Sequence, residues 1–575
     1  MTNKGETSKM KLKSILLGAA AAFAMAPMAQ AERGADGHAN IIYWQAVSIM
    51  NPFLSGGTKD VHASSLVIEP LARYDDGGNM VPWLVTEIPT VDNGGVSADL
   101  TSITWNITPG LKWSDGSNFT AHDVVFTAEY CMHPEGGCQQ ETKFANVASV
   151  EAMDDLTVKV TFDTPKPFPY GPFVGAESPI IQKAQFESCL GAEAPNCTEQ
   201  NFGPHGTGPF VVSDFKANDV VVFEANPNYR DASKPAFQSL TFKGGGDAAS
   251  AARSVLETGE FDYAWNLQID PTILSQMEAA GKGVVVAAFS NSVERLMVNL
   301  SNPDPALGDA RSTLAGGAHP FLTDPAVRRA LSVAIDRNTL AEVGYGSAGQ
   351  GTCNVVNAPA YNRSTANDEC LVQDIAKANA ILDEAGWVDS DGDGIRDKDG
   401  VKLSILYQTS TNAVRQDTQA LVKQWWSEIG VETELKNIDA AVFFGGDQSS
   451  PDTFQKFYAD IEMYTNLFNG TDAETYMGNW SCSEIPSPDN NWLGSNMPRY
   501  CNAEYDALLA SLATTAGTEA RGEIVKQLND FLMAEGAMIP LIDRGSVIAH
   551  GNSLGGVKLN VWDSHLWNIA DWHRN

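Results

Sequence analysis

The chain has 575 residues, 43% of them hydrophobic and 19% charged; this is length for two or more domains and too apolar a composition for a disordered polymer. Its formal charge of −33 argues against a nucleic-acid-binding face, where cations must replace the counterions of phosphate. The same charge opposes docking on anionic lipid and favours solubility.

The N-terminus reads as a signal peptide spanning residues 1–31. Lys4, Lys9, Lys11 and Lys13 precede a short apolar run from Ile15 to Met25, and Ala29-Gln30-Ala31 fits a small-x-small cleavage site. The run falls short of the roughly 20 apolar residues that a span needs. Residues 40–47 read as a strand, His62 to Leu71 as a short helix and Ser102 to Ile107 as a strand. Thr120 is an expected N-cap for the helix that follows, with Asp123 in its first turn. Thr157 to Phe162, Val211-Val212 and Val220 to Phe223 are expected strands. Next come alternating elements: helix Ala248 to Thr258, strand Phe261 to Trp265, helix Pro271 to Ala280, strands Gly283 to Ala288 and Leu296 to Leu300. Helices are expected over Pro325 to Ile335, Leu371 to Ala385, Ala413 to Ile429 and Glu519 to Ala534, and strands over Leu403 to Gln408, Val431 to Leu435, Ile539 to Ile542 and Val547 to His550. This alternation is the pattern of an α/β protein.

Eight cysteines in an exported chain predict disulfides, and eight allow 105 pairings. The simplest set is local: Cys131 with Cys138, Cys189 with Cys197, Cys353 with Cys370 and Cys482 with Cys501, each closing a loop rich in Gly, Pro or Asn. No C-x-x-C occurs and histidine is sparse near these positions, which counts against zinc.

Several stretches together resemble the extracellular solute-binding proteins of family 5, the oligopeptide, dipeptide and nickel receptors of ABC importers. They are Leu111-Lys112-Trp113-Ser114-Asp115-Gly116 with Thr120 to Thr127, Gly206-Thr207-Gly208-Pro209-Phe210, Asn226-Pro227-Asn228-Tyr229, and Asp324 to Leu331 ending in Ala334-Ile335-Asp336-Arg337. Ala385-Gly386-Trp387 and Trp426 to Val431 extend the likeness. These pieces read as scaffold: Trp113 and Phe126 as core, Gly206 and Gly208 as permitting backbone turns, Arg328 and Arg337 as helix-surface ion pairs. The resemblance implies an α/β, bilobal clamshell of the type II, cluster C kind. Residues 32–68, 204–296 and 538–575 would form lobe I, 69–203 a β-rich subdomain inserted in it, and 297–537 lobe II. It further implies a periplasmic receptor, expected to be a monomer, that captures a peptide or other small polar solute and delivers it to an ABC permease in the inner membrane. The second reading is a sensory or chaperone-like binding protein on the same scaffold.

Ligands of α/β folds sit beyond the carboxyl ends of strands, which points to Trp44, Gln45, Trp265, Asn266 and Ser290. The resemblance adds Ser55, Gly56, Gly57 and Thr58, Arg295, and a far-lobe segment with Tyr464, Asn466, Phe468 and Asn469. In the family's peptide receptors an acidic residue of that segment pairs with the peptide ammonium; Asn469, or a neighbour within Leu467-Phe468-Asn469-Gly470, stands at that place here, Asp472 only if the register slips, and an Asn cannot supply the full charge pairing. This keeps opines, oligosaccharides and other nutrients open beside peptides. Nickel is not expected, since the sequence clusters no histidines.

Asp389-Ser390-Asp391-Gly392-Asp393-Gly394-Ile395-Arg396-Asp397 matches the first nine positions of an EF-hand loop. Asp389, Asp391, Asp393 and Asp397 would offer carboxylates and Ile395 its carbonyl to a structural calcium, although position twelve is Gly400. The competing reading is an acidic turn held by Asx hydrogen bonds. No other cofactor is expected, and no catalytic residues. Gly551-Asn552-Ser553-Leu554-Gly555 matches G-x-S-x-G without the helix that a nucleophile elbow requires. Gly344 to Gly349 matches G-x-G-x-x-G but follows a helix rather than a strand.

Overall fold

The computed structural model describes residues 32–466 and 470–575, with Ser290 and Asn291 as backbone alone. The expected signal peptide therefore lies outside the described residues.

An 11-stranded mixed sheet runs through the molecule. From one edge its order is Glu432–Ile438, Ser404–Ser410, Ile461–Asn466, Gly283–Val298, Met538–Gly551, Tyr263–Ala264, His38–Ile42, Ser239–Lys243, Val220–Ala225 and Phe210–Lys216, with Gly349–Gly351 set beside Met538–Gly551. Two long antiparallel strands, Gly283–Val298 and Met538–Gly551, hold the middle. Sequence reasoning splits each of them in two, because polar residues (Glu294-Arg295 in one, Asp543-Arg544 in the other) interrupt the apolar pattern. The backbone continues through both interruptions, bridged by register shifts between Phe289 and Val293 and between Glu294 and Arg295.

The ends of these strands serve different cores. Val285 and Ala549 pack with helix Ala248–Leu256, Ile42 and Ala264. Leu296, Ile539 and Leu541 pack instead with Val327 and Leu331 of helix Pro325–Val333, with Val422 and Trp426 of helix Ala413–Ser427, and with Ile405 and Met463. The polar centre of each strand thus lies between two apolar bodies.

A second sheet, Ser102–Asn106, Thr157–Phe162 and Val147–Asp154, belongs to the segment expected as a β-rich insertion. Its core is continuous with the neighbouring one: Trp105, Trp113 and Phe126 share a single buried cluster with Ile41, Tyr43 and Phe53. Helix Ala121–Cys131 begins as expected after Thr120, whose backbone N–H donates to the Asp123 carboxylate at 2.9 Å. Asp123 also accepts from Trp113 Nε1 at 3.2 Å and from the Lys183 backbone at 3.0 Å. The most recognisable sequence segment is therefore a cap and a core, far from ligand chemistry.

All four local disulfides form, with Cα–Cα separations of 5.2, 5.9, 5.9 and 4.6 Å along the chain. Three expectations need correction. The first strand ends at Ile42, so Tyr43 to Val47 form a loop; the following helix is Thr58–Ser64 rather than His62 to Leu71. Arg328 and Arg337 are not surface ion pairs. Arg337 is fully buried and donates to the carbonyls of Pro540 and Cys370, and Arg328 to those of Leu322 and Glu535. Backbone carbonyls at and near the ends of elements satisfy both guanidiniums, at hydrogen-bond strength without a partner charge.

Candidate functional site

The polar middles of the two long strands floor a cavity, which Ser292, Arg295, Arg544 and Ser546 line. On one side stand Gln45, the Gly56-Gly57-Thr58 turn that opens helix Thr58–Ser64, and Trp265-Asn266 just past strand Tyr263–Ala264. Tyr464 to Asn466, Phe444, Phe454 and Trp480 form the other side. A second compartment adjoins it, sharing Gly56, Thr58, Gln139, Asn466, Asn479 and Ser495.

Of the expected ligand residues, Gln45, Gly56, Gly57, Thr58, Trp265, Asn266, Arg295, Tyr464 and Asn466 line this cavity. Trp44 does not. It is packed with Ile42, Ala252 and Leu267, and its indole N–H is spent on the Asn266 carbonyl at 3.0 Å. Phe468, Asn469 and the Ser290 side chain lie outside the described residues. Sequence reasoning missed Arg415, Arg544, His565 and the aromatic residues Phe444, Phe454 and Trp480.

Local order around the near wall is strong. Asp60 accepts from the Ser48 backbone and from the hydroxyls of Ser48 and Ser55, and pairs with Lys59 at 2.8 Å. A Cβ on Gly57 would stand 3.1 Å from that Asp60 carboxylate and 3.3 Å from the Phe444 carbonyl, so glycine lets the two sides approach here. Trp265 stacks on Tyr43, with centroids 4.7 Å apart and planes 3° from parallel.

The floor is a buried charge network. Glu294 is fully buried and pairs with Arg415 at 2.7 Å and Arg544 at 3.3 Å; Tyr345 and Gln268 donate to it at 3.3 and 3.4 Å. Burial pushes the Glu294 carboxyl upward, but the two guanidiniums outweigh it and hold the group below the usual carboxylate range. Arg544 also donates to Asn266 Oδ1 at 2.6 Å. On the opposite face of the same strand, Arg295 donates to the Tyr476 hydroxyl at 2.6 Å and sits among the rings of Tyr464, Tyr476 and Trp480.

Asn266 holds φ at +58°, a left-handed conformation that Asn tolerates better than most residues. The expected outcome separates backbone from side chain. Asn266→Gly keeps the conformation and loses the charge-assisted bond to Arg544, costing ~1–2 kcal/mol and weakening ligand binding. Asn266→Ala adds about 1 kcal/mol of backbone strain. Urea titrations showing equal stability for the two variants would contradict this account.

Histidines do meet here, contrary to the sequence reading: the His62 and His565 rings lie 4.5 Å apart. Burial first, then the Arg544 charge, drives His565 down to about 3, so it is neutral at any ordinary pH. Elsewhere, the acidic loop brings Asp389, Asp391 and Asp393 together, the one such cluster of three or more metal-type ligands among the described residues. Asp389 accepts from the Gly392 and Gly394 backbones at 2.8 and 3.0 Å, Lys402 bonds both Asp391 and Asp393, and Asp397 bonds Ser390. Both enzyme-like strings lack the required context. Ser553 follows a strand but leads into the two-residue strand Leu554–Gly555, and Gly346 follows helix Arg337–Gly344.

The model of bacterial extracellular solute-binding proteins, family 5, matches residues 79–489. The glutathione-binding protein GsiB of Salmonella paratyphi A is 24% identical over 465 residues, 80% of this chain and 81% of that protein. Among solved structures, the oligopeptide-binding protein AppA of Bacillus subtilis, in complex with a nonapeptide, superposes with a TM-score of 0.79 at 20% identity, over 95% of this chain and 100% of that one. NikZ of Campylobacter jejuni, in complex with Ni(L-His), gives 0.75 at 23% identity, over 94% and 100%. These relatives are binding proteins, and the large mixed sheet is the bilobal fold they share. The chain belongs to the bacterial extracellular solute-binding proteins of family 5.

Proposed function

We propose that the chain is the periplasmic receptor of an ABC importer, a monomer that closes two lobes over one small polar solute and hands it, chemically unaltered, to the permease. The observation that carries this reading is the cavity between two apolar bodies joined by just two long strands among the described residues. In this reading lobe I comprises 32–68, 204–296 and 538–575, with 69–203 inserted, and lobe II comprises 297–537. Contacts across the cleft support a closed arrangement: Gln139 donates to Ser495 at 2.9 Å, and Lys166 pairs with Glu474 at 2.9 Å. A solute that touches both sides favours that state by its differential affinity for it. Export is supported by the N-terminal signal-like segment and by four disulfides. Among the described residues no helix is long and apolar enough to cross a membrane. The relatives are named for glutathione, a nonapeptide and a nickel–histidine complex, a range that supports a polar solute without choosing one.

The test is small-angle scattering of the chain with and without a solute recovered from it by native mass spectrometry. A smaller radius of gyration with the solute is expected. Identical profiles, or recovery of the solute as a different compound, overturn the reading.

For the acidic loop we retain calcium as a proposal. The ion would replace Lys402 as counter-charge to Asp391 and Asp393 and staple the loop without any part in solute binding. Saturating calcium is expected to raise the melting temperature by a few degrees. A melting temperature indifferent to both calcium and chelator removes the proposal.

A further inference from the structure

The cavity's charge is opposite in sign to the protein's. The chain carries a formal −33, yet no Asp or Glu lines the cavity among its described residues, whereas Arg295, Arg415, Arg544 and Lys59 do. In sequence, Ser290-Asn291 and the Leu467-Phe468-Asn469 segment that follows Asn466 contain no acidic residue. Two carboxylates stand behind these four cations. Glu294 is shared by Arg415 and Arg544, and Asp60 is taken by Lys59. Among the described residues Arg295 has no carboxylate within salt-bridge distance; aromatic faces and a tyrosine hydroxyl are its company. Arg295 and Arg544 are 2% and 5% exposed, and the Nε of each finds no partner among the described residues. Both ring nitrogens of the buried His565 are in the same condition.

A buried cation without a counter-charge is costly; Arg337 and Arg328 are compensated by carbonyls, whereas Arg295 and Arg544 face the cavity with a donor each still unspent, which an anion there would take up. An amino group brought into this cavity would add a fifth cation and meet no unspent carboxylate. A carboxylate or phosphate would meet a planar guanidinium suited to bidentate pairing.

Resting on the receptor reading above, we infer that the solute is an anion, with carboxylate or phosphate oxygens in excess of any amino group, and that Arg295 is a specificity-determining residue for its anionic end. A free peptide of zero net charge is then a poor ligand.

The experiment offers the full chain, freed of cargo, a mixed cell extract, and reads the captured compounds by native mass spectrometry. Capture of solutes that are net anionic at pH 7 is expected, and their composition separates carboxylate from phosphate. Capture of cationic or net-neutral solutes overturns the inference while leaving the receptor reading intact. Capture of nothing, with unchanged scattering, counts against the receptor reading and takes the inference with it. Arg295→Met is expected to lower capture at least tenfold with no fall in melting temperature, since it removes an unpaired buried charge and leaves an apolar chain among aromatic rings. Arg295→Lys, which keeps the charge, should retain more capture than Arg295→Met. A lower melting temperature with undiminished capture, in either variant, assigns Arg295 to structure alone and overturns its role.

Discussion

Gly206→Ala is expected to destabilise the protein by about 3 kcal/mol or more, a large share of the roughly 5–15 kcal/mol that holds an ordinary domain together. The reason is contact rather than conformation. A Cβ at 206 would stand 1.7 Å from the Val67 carbonyl oxygen and 2.3 Å from its carbon, both backbone atoms that cannot rotate away. Gly208 repeats the arrangement, 2.3 Å from the Leu66 oxygen. The close approach lets the Gly208 N–H donate to Val67 at 2.8 Å while the Gly206 carbonyl accepts from Ser114 at 2.9 Å. One glycine therefore ties the exit of helix Thr58–Ser64, the Trp113-Ser114-Asp115-Gly116 turn and the approach to strand Phe210–Lys216. The expectation that a β-carbon would hinder the backbone at both positions holds, and it does so through contact, since neither glycine has a positive φ. Gly203→Ala is the control, because its Cβ would have 3.6 Å of room, and a change within ~0.5 kcal/mol is expected. Equal denaturation midpoints for the two variants would contradict the contact argument.

The same distinction between local pattern and tertiary contact explains what could be read from the sequence. Helix Ala413–Ser427 and strand Thr157–Phe162 follow from periodicity, and the four disulfides from proximity along the chain. The strand-end rule reached Gln45, Trp265 and Asn266 but also named Trp44. The loop after Ile42 turns Trp44 into the core, where its indole N–H bonds the Asn266 carbonyl, and leaves Gln45 facing the cavity. At Trp265-Asn266 the left-handed Asn266 breaks the side-to-side alternation of extended residues and lets both line the site. Arg415 and Arg544 stand 121 and 250 residues from Glu294, and no local pattern joins them. A signal was nonetheless present. Glu294-Arg295 and Asp543-Arg544 are charges inside otherwise apolar strand sequence, where burial is tolerated mainly with a partner or a function. They interrupt the apolar pattern of both strands, and their two arginines line the cavity, with Glu294 buried behind Arg544. Helix Ala503–Thr514 and strand Val147–Asp154 went unread, the first nearly uniform in hydropathy around its axis and the second largely exposed.

Glu294→Ala is expected to cost ~3–5 kcal/mol, because it leaves Arg415 and Arg544 buried without the carboxylate they share. Glu294→Gln fills the same space and is the cleaner probe of charge. The pH dependence follows from linkage. Glu294 has a folded-state pKa below its ordinary value of 4.5. Its contribution is therefore fully present above about pH 4.5 and fades as pH falls through the lower folded value, when the carboxylate takes up a proton in either state. The stability gap between the native chain and Glu294→Gln should be widest at neutral pH and should narrow below about pH 4.5. His565 does not blur this window near neutrality, since it stays neutral down to about 3. Thermal melts from pH 7 to pH 3.5 test it. A gap constant over that range would mean that Glu294 acts through shape, and that the charge on the cavity floor is balanced by some other group.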